Sequence, residues 1–518
     1  MGALVTALAI ALPALGSVAC EACRSPAIGT AAPETEPTLR LYLLSDPAGA
    51  LEPCGCVKDQ LGGVDHLAAF IDKERANAKN TALVAAGPLF FMDKELKADR
   101  ASQDKARAEA MASALRTLNL LAFAPGENDA AGGEPQLQKL RDLSGAELLD
   151  GKGAIRDVGS VKVGLIGIGP QKDGAPSASD RVKAALADLK GKGAQVFVVL
   201  AATGRGEAKR IADNVPELTA IVVGTPGTSG EANTDTPSGE RIGNVLIAET
   251  GNHVQTVGVL DLYVRDGSYT FQDASSLDQA RKRSELSARI DELRGAIADL
   301  ERDGKGQKPE ADEKRAALAK AESARDAFDH APAPAKGSYA RYRTQEVRPG
   351  FGSQPKVTDL MSAYYKKVND ENKLSFAGKL PRPPADGEPS YVGVAACAKC
   401  HEDAKKVWDK TAHSHAYATL STQFKEFNLD CVSCHVTGYD RPGGATVTHV
   451  DGLTDVQCEV CHGPGSKHAA NPSKAKILVA KPSADSCTSC HHPPHVHSFD
   501  GPTKLQQILG PGHGRPKT

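Results

Sequence analysis

Aromatic side chains are scarce in this chain: 4% of its 518 residues, with a single tryptophan among them. That length has room for two or three domains, but not for an aromatic-rich core in each. Charge of one sign is also missing. Lys and Arg total 62 against 64 Asp and Glu, a net −2, which removes the electrostatic case for a nucleic-acid partner or an acidic membrane surface. A long apolar run is lacking as well. The N-terminal stretch Met1–Ala19 is broken by Pro13 and Gly16 and falls short of the roughly 20 residues a spanning helix needs. It has no basic n-region, yet it ends in the small residues Ser17-Val18-Ala19 and reads as an export leader over 1–19. Cleavage there would place Cys20 first, open to lipid attachment and a membrane anchor, although Ser17 is a poor match to the aliphatic residue of such signals.

Histidine and cysteine, in contrast, are concentrated at one end: 12 of the 15 histidines follow residue 385. Four copies of Cys-x-x-Cys-His lie there. They are Cys397-Ala-Lys-Cys400-His401, Cys431-Val-Ser-Cys434-His435, Cys458-Glu-Val-Cys461-His462 and Cys487-Thr-Ser-Cys490-His491. Two thiols one turn apart add to the two vinyl groups of a haem edge, and the next residue falls beneath the iron as proximal ligand. Eight cysteines would also build two zinc sites of four thiolates, but zinc gives no reason for a histidine after every pair. The expectation is four covalently attached haem c groups, with His401, His435, His462 and His491 on the irons. Porphyrin then supplies the apolar volume that the aromatic count withholds. Only 23 positions separate His435 from Cys458 (458 − 435), so the haems are close together. Covalent haem attachment takes place outside the bacterial cytoplasm, which supports export to the periplasm or cell envelope.

A further set of histidines is available for the far side of each iron. The stretch 391–500 carries Trp408-Asp-Lys-Thr-Ala-His413, Asp430-Cys-Val-Ser-Cys-His435-Val-Thr-Gly438-Tyr, Gly443-Gly444 and Val456-Gln-Cys-Glu-Val-Cys-His-Gly-Pro-Gly465. It resembles the tetrahaem cytochrome c family that accepts electrons from hydroxylamine oxidoreductase. The resemblance implies an electron carrier between redox partner proteins, with His413, His468 and His495 as distal ligands. It also implies a second haem without a distal protein ligand, a place that His449 or His415 stands ready to fill. His492, His497 and His513 are expected as solvent-exposed residues.

Residues 37–265 alternate apolar strand-like runs, from Leu39–Ser45 to Val257–Val264, with helical patterns at about 64–78, 102–117, 178–190 and 206–214, the signature of an α/β domain. With Leu51-Glu-Pro-Cys-Gly-Cys56, Gln60-Leu-Gly-Gly63 and Val161-Lys-Val-Gly-Leu-Ile-Gly167, this part resembles the calcineurin-like metallophosphoesterases of the 5′-nucleotidase branch. That resemblance implies two metals held by Asp-x-His, Gly-Asp, Gly-Asn-His-Glu/Asp, a histidine and Gly-His-x-His. The chain has instead Asp46-Pro-Ala48, Gly87-Pro88, Gly126-Glu-Asn128-Asp129, Ala201-Ala202 and Gly224-Thr-Pro-Gly227. Two-metal hydrolysis needs both ions clamped, and Asp46, Asn128 and Asp129 alone do not supply that, so no catalytic residue is assigned. Cys54-Gly-Cys56 is open to a disulfide, including one to Cys20 or Cys23, or to a redox or metal role.

Leu286, Ile290, Leu293, Ile297 and Leu300 form an a/d seam, and a second Ala/Lys/Glu-rich helix follows Pro309. The pattern predicts an antiparallel hairpin, either a free stalk or packed flat on a neighbour. The expected fold is multidomain: a metallophosphoesterase-like α/β sandwich over 37–270, a helical (coiled-coil) hairpin over 277–330, a connector and Pro-rich linker over 331–388, and a mostly helical or irregular multihaem cytochrome c domain over 389–518. The expected function is electron transfer. The alternatives are a haem enzyme acting on a small nitrogen compound at an open haem, and a working metallophosphohydrolase with a haem appendage.

Overall fold

The computed structural model describes residues 36–53, 60–171, 174–237, 239–275, 277, 280–302, 306, 308–328, 333–492, 495–496, 499–511 and 513–515. The expected leader, Cys20, Cys23, Cys54, Cys56 and His497 lie outside the described residues. Among the described residues no helix is long and apolar enough to cross a membrane.

Two sheets stack face to face between helices. The first contains β1 (Leu39–Ser45), β2 (Thr81–Gly87), β3 (Leu120–Pro125) and β4 (Glu147–Leu148), parallel in that order, with β11 (Thr256–Tyr263) antiparallel on the other side of β1. The second runs β5 (Gly153–Val158), β6 (Val161–Ile168), β7 (Val196–Ala202), β8 (Ala220–Gly224), β10 (Val245–Ala248), β9 (Glu240–Ile242). β1 shows how the sequence builds this. Every residue in it is buried, because side chains alternate between two packed faces. Leu39, Leu41 and Leu43 enter the core between the sheets, against Val163, Val198 and Val222. Tyr42 and Leu44 enter the core under α1 (Val64–Glu74) and α2 (Ala101–Thr117). Helices α4 (Ala178–Gly191) and α5 (Arg205–Asn214) cover the second sheet. All eight strand-like runs read from the sequence are strands. Strands β5 and β9 and helix α3 (Glu134–Ser144) were not among the elements expected.

The segment expected as a connector is instead part of the sandwich. Strand β13 (Tyr339–Glu346) pairs along its whole length with β11, and β12 (Gln272–Asp273) pairs with β13. Helix α8 (Pro355–Ser375) then buries Val357, Met361, Tyr364 and Val368 in the α1–α2 core. The α/β unit therefore extends past residue 270. Its last strand escapes sequence reading because its arginines are only partly exposed and lie against aromatic rings. The Arg341 and Arg343 guanidiniums lie over the Tyr339 and Phe70 rings, at 5.6 and 5.7 Å from the ring centroids.

The hairpin is thus an insertion between β12 and β13. Its arms, α6 (Ala280–Arg302) and α7 (Pro309–Phe328), pack through Ile290, Leu293 and Ala321, with an Arg294–Glu322 ion pair of 2.6 Å. The middle of α6 is tied to the α/β unit by Arg348, just after β13, which pairs with Asp291 at 2.6 Å. At 23 residues α6 is about 34 Å long.

From Val394 onward the chain forms short helices and, near residue 510, a two-residue pairing of Gly510–Pro511 with Gly514–Arg515. Their one apolar cluster is small, centred on Val432, Val436, Ala445 and Val447.

Candidate functional site

Each Cys-x-x-Cys-His motif winds into a helical turn at or beside Val394–Ala398, Val432–His435, Cys458–His462 and Ala484–Ser489. None of the eight motif cysteines, all of them described, forms a disulfide.

The histidines of the motifs are met by rings from elsewhere in the chain. His401 faces His468 at 6.3 Å between ring centroids, His491 faces His413 at 6.1 Å, and His462 faces His513 at 6.3 Å. An imidazole nitrogen bonds a first-row metal at about 2.0–2.1 Å, and the ring centre lies roughly 1.1 Å behind it, so two axial imidazoles on one iron put their centroids about 6.3 Å apart. The three spacings fit that arrangement. Backbone carbonyls hold several of the rings by Nδ1 and leave Nε2 to point inward. His462 is held by Val479 (2.7 Å), His468 by Ala475 (2.7 Å), His513 by Ile508 (3.1 Å) and His435 by Ala416 (2.6 Å). His413 is placed through its backbone, which accepts from Val456 N at 3.1 Å, while Val456 O accepts from Trp408 Nε1 at 2.8 Å.

Two expectations change. His513, expected as a solvent-exposed residue, faces His462. His495, expected as a distal ligand, faces none of the motif histidines; its Nε2 lies 3.3 Å from Glu231 Oε2 of the α/β unit, with its ring edge-on to His492. Among the described residues no histidine ring pairs with His435. His415 is exposed, and His449 lies by Thr448 Oγ1 at 3.1 Å.

Residues 396–463 match the family model described as cytochrome c554 and c-prime. This cytochrome segment holds the first three motifs, and the fourth follows it. Over 101 residues the chain is 32% identical to the cytochrome c-554 of Nitrosomonas europaea, covering 16% of this chain and 43% of that protein. The chain therefore spans less than half the length of the curated relative it matches. Among solved structures it is similar to a 5′-nucleotidase precursor from Thermus thermophilus (17% identical, 69% of this chain and 62% of that one, TM-score 0.40). It is also similar to the calcineurin-like phosphoesterase YfkN from Bacillus subtilis (18% identical, 44% and 86%, TM-score 0.36).

Thiols of different motifs lie near one another in the cytochrome segment and beyond it. Cys397 is a neighbour of Cys458, Cys434 of Cys490, and Cys461 of Cys487. The motifs are therefore strung in the order first, third, fourth, second.

The second motif is docked on the α/β unit. Asp430, just before Cys431, is clamped by Arg100 and by Arg107 Nη1 at 2.9 Å. Gln103 donates to Asp430 at 3.0 Å, and its Oε1 accepts from Leu429 N (3.0 Å) and Asn372 (2.9 Å). Lys425 pairs with Glu52 at 2.6 Å. A cavity of about 520 Å³ opens at this junction, bounded by Cys431, Cys434 and His435 on one side and by Arg107, Glu231 and Tyr365 on the other. The His495–Glu231 contact holds the Glu231 carboxyl below its ordinary range and raises the His495 imidazole.

Elsewhere, Asp46, Asn128 and Asp129 are satisfied by backbone. Asp46 accepts from Thr225 N at 3.0 and 3.2 Å; burial pushes its carboxyl up to about 7. Asp129 is also pushed up to about 7 by burial, against N–H donation from Phe90, Leu89 and Gly126. Asn128 donates to the carbonyls of Met92 and Phe91 at 2.8 and 3.1 Å. The ends of β2 and β8 close on each other: a methyl added at Gly224 would meet Ala86 C and O at 2.3 Å. Among the described residues no three His, Cys, Asp or Glu side chains gather as a metal site. Gly224→Ala is expected to cost about 3 kcal/mol through overpacking against that backbone, read as a lowered midpoint in denaturant.

Proposed function

We propose that this chain is an exported electron carrier with four covalently attached haem c groups, working between respiratory redox partner proteins in the periplasm or cell envelope. The observation that supports this reading best is the set of three histidine ring pairs at iron-spanning distance, each formed by a motif histidine and a residue remote in sequence. When bound, c-type haem supplies one-electron oxidation and reduction at its iron. The side chains do the rest. His401 with His468, His491 with His413 and His462 with His513 hold two nitrogens on a fixed axis, so little has to move when the charge at the centre changes. The nearness of Cys397 to Cys458, of Cys461 to Cys487 and of Cys434 to Cys490 brings four attachment edges into one series.

The α/β unit, on this reading, is a docking platform without phosphohydrolase activity. Its support is the occupation of Asp46, Asn128 and Asp129 by backbone partners and the closed approach of β2 and β8.

Intact mass of the full chain, produced in a host competent for cytochrome maturation, is expected to exceed the polypeptide mass by four haem groups. The same measurement reads any lipid at Cys20. Colourless protein, or fewer than four groups, would overturn the proposal.

A further inference from the structure

The four motifs form a series with two ends, and the ends are unlike. The second motif is closed in by the α/β unit, through the Asp430–Arg107 and Lys425–Glu52 pairs. The first has no such cover. Cys400 is the one exposed thiol of the eight motif cysteines, and His401 is exposed beside it. Positive charge gathers at this free end. The whole chain carries a net −2, yet residues 466–484 hold four lysines and no Asp, Glu or Arg, so +4 there leaves −6 elsewhere (−2 − 4). Lys467, Lys474, Lys476 and Lys481 are all exposed. The carboxylate that precedes them, Glu459, does not reach the surface to neutralise them. It is 2% exposed and accepts from the backbone N–H groups of Val392, Gly393 and Gly465. Lys405 and Lys406, in contrast, are paired with Asp409 and Glu402 at 2.8 and 2.9 Å. The unpaired lysines are fixed beside the first motif. Lys467 precedes His468, the ring that faces His401, and Lys474 and Lys476 flank Ala475, whose carbonyl holds His468 Nδ1 at 2.7 Å.

We infer that residues 467–481 are the docking face for an acidic redox partner protein, and that electrons are exchanged with it at the end of the series marked by His401 and His468. Carboxylates on the partner meet the lysine ammonium groups, and the long-range attraction between the two faces orients the encounter. One electron crosses per encounter, so that one protein is oxidised as the other is reduced, with no bond made or broken. This inference rests on the tetrahaem reading. It adds the place where the partner binds and the charge the partner bears.

The test uses the ferric, fully matured chain and reduced flavodoxin, an acidic one-electron donor, as probe. Stopped-flow absorbance follows the second-order rate of reduction, and a carbodiimide that joins carboxylates to lysine amines traps the complex. The rate is expected to fall about 10-fold between about 10 mM and about 150 mM salt. Cross-links should map to Lys467, Lys474, Lys476 or Lys481. The triple variant Lys467→Gln, Lys474→Gln, Lys476→Gln should react about 10-fold more slowly at low salt and lose most of its salt dependence. Its low-spin signals in electron paramagnetic resonance should match those of the parent, since His468 stays in place. The same three positions changed to Arg keep the charge and should keep the rate. A control that removes three exposed lysines of the hairpin, Lys282→Gln, Lys308→Gln, Lys320→Gln, should react as the parent does. Equal rates in the patch variant and the control, or cross-links confined to lysines outside 467–481, would overturn the inference. So would binding to vesicles of anionic lipid that the patch variant loses while its reaction with flavodoxin is unchanged, because the face would then be a membrane contact. Absence of a Soret band would sink the tetrahaem reading itself, a result distinct from these.

Discussion

Asp430→Ala is expected to detach the second motif from the α/β unit and to lower stability by about 3 kcal/mol, because it removes one of the two carboxylates that neutralise the buried Arg107 guanidinium, Asp104 at 2.9 Å being the other. Burial by itself would raise the Asp430 carboxyl. Arg107 and Arg100 outweigh it and hold the group below the usual carboxylate range. A folded value below the unfolded one (about 3.9) makes the stabilisation complete at neutral pH and removes it as pH falls through the folded value. The parent chain should therefore undock in acid, below about pH 4, whereas Asp430→Asn should lack that acid-linked step and begin from lower stability. Denaturant melts followed by the Soret band and by far-ultraviolet dichroism at about pH 7 and about pH 3.5 check both statements. A neutral-pH loss under about 1 kcal/mol would show that Gln103 and its partners carry the docking without the ion pairs.

His513→Ala should have the second large effect, one of kind rather than degree. It removes the ring opposite His462 while leaving Cys458 and Cys461 able to hold their haem. Intact mass should change only by the substitution, and one low-spin signal should be replaced by a high-spin one. His492→Ala, a change at the histidine whose ring is edge-on to His495, should leave all spin states as they were. An unaltered spectrum in His513→Ala would remove the third ring pair from the account.

The attachment motifs were readable because their chemistry is local: two thiols and an imidazole must lie within five positions whatever the fold. The distal partners were harder to read because their positions are set by tertiary approach. His413 and His468 follow the first and third motifs by 12 and 6 positions (413 − 401, 468 − 462), although they face His491 and His401. His513 lies 22 positions beyond His491 (513 − 491), in a Gly/Pro-rich tail whose sequence suggests exposure. His495 looked equally suitable, and its Nε2 lies 3.3 Å from Glu231 Oε2 of the other domain. In the α/β unit, runs such as Leu39–Ser45 were legible since both faces are buried and the whole strand is apolar. Strand β13 was hidden by its arginines, which lie over aromatic rings. The hairpin was correctly read as two antiparallel helices, but nothing in a heptad seam says that it interrupts a sheet.

The crossing of the ring pairs also sets a timetable for manufacture. In a polypeptide that emerges N-terminus first, His413 is already outside when Cys487 and Cys490 appear. His401 has to wait for His468, and His462 for His513. Sulfur bonding and axial closure are thus separate events for the first and third motifs. On the tetrahaem reading, a chain cut short between residues 492 and 512 would carry all of its thioether links and still offer an unguarded iron at the third motif. The pairing of His513 with His462 would, on the same reading, follow the last of these thioether links.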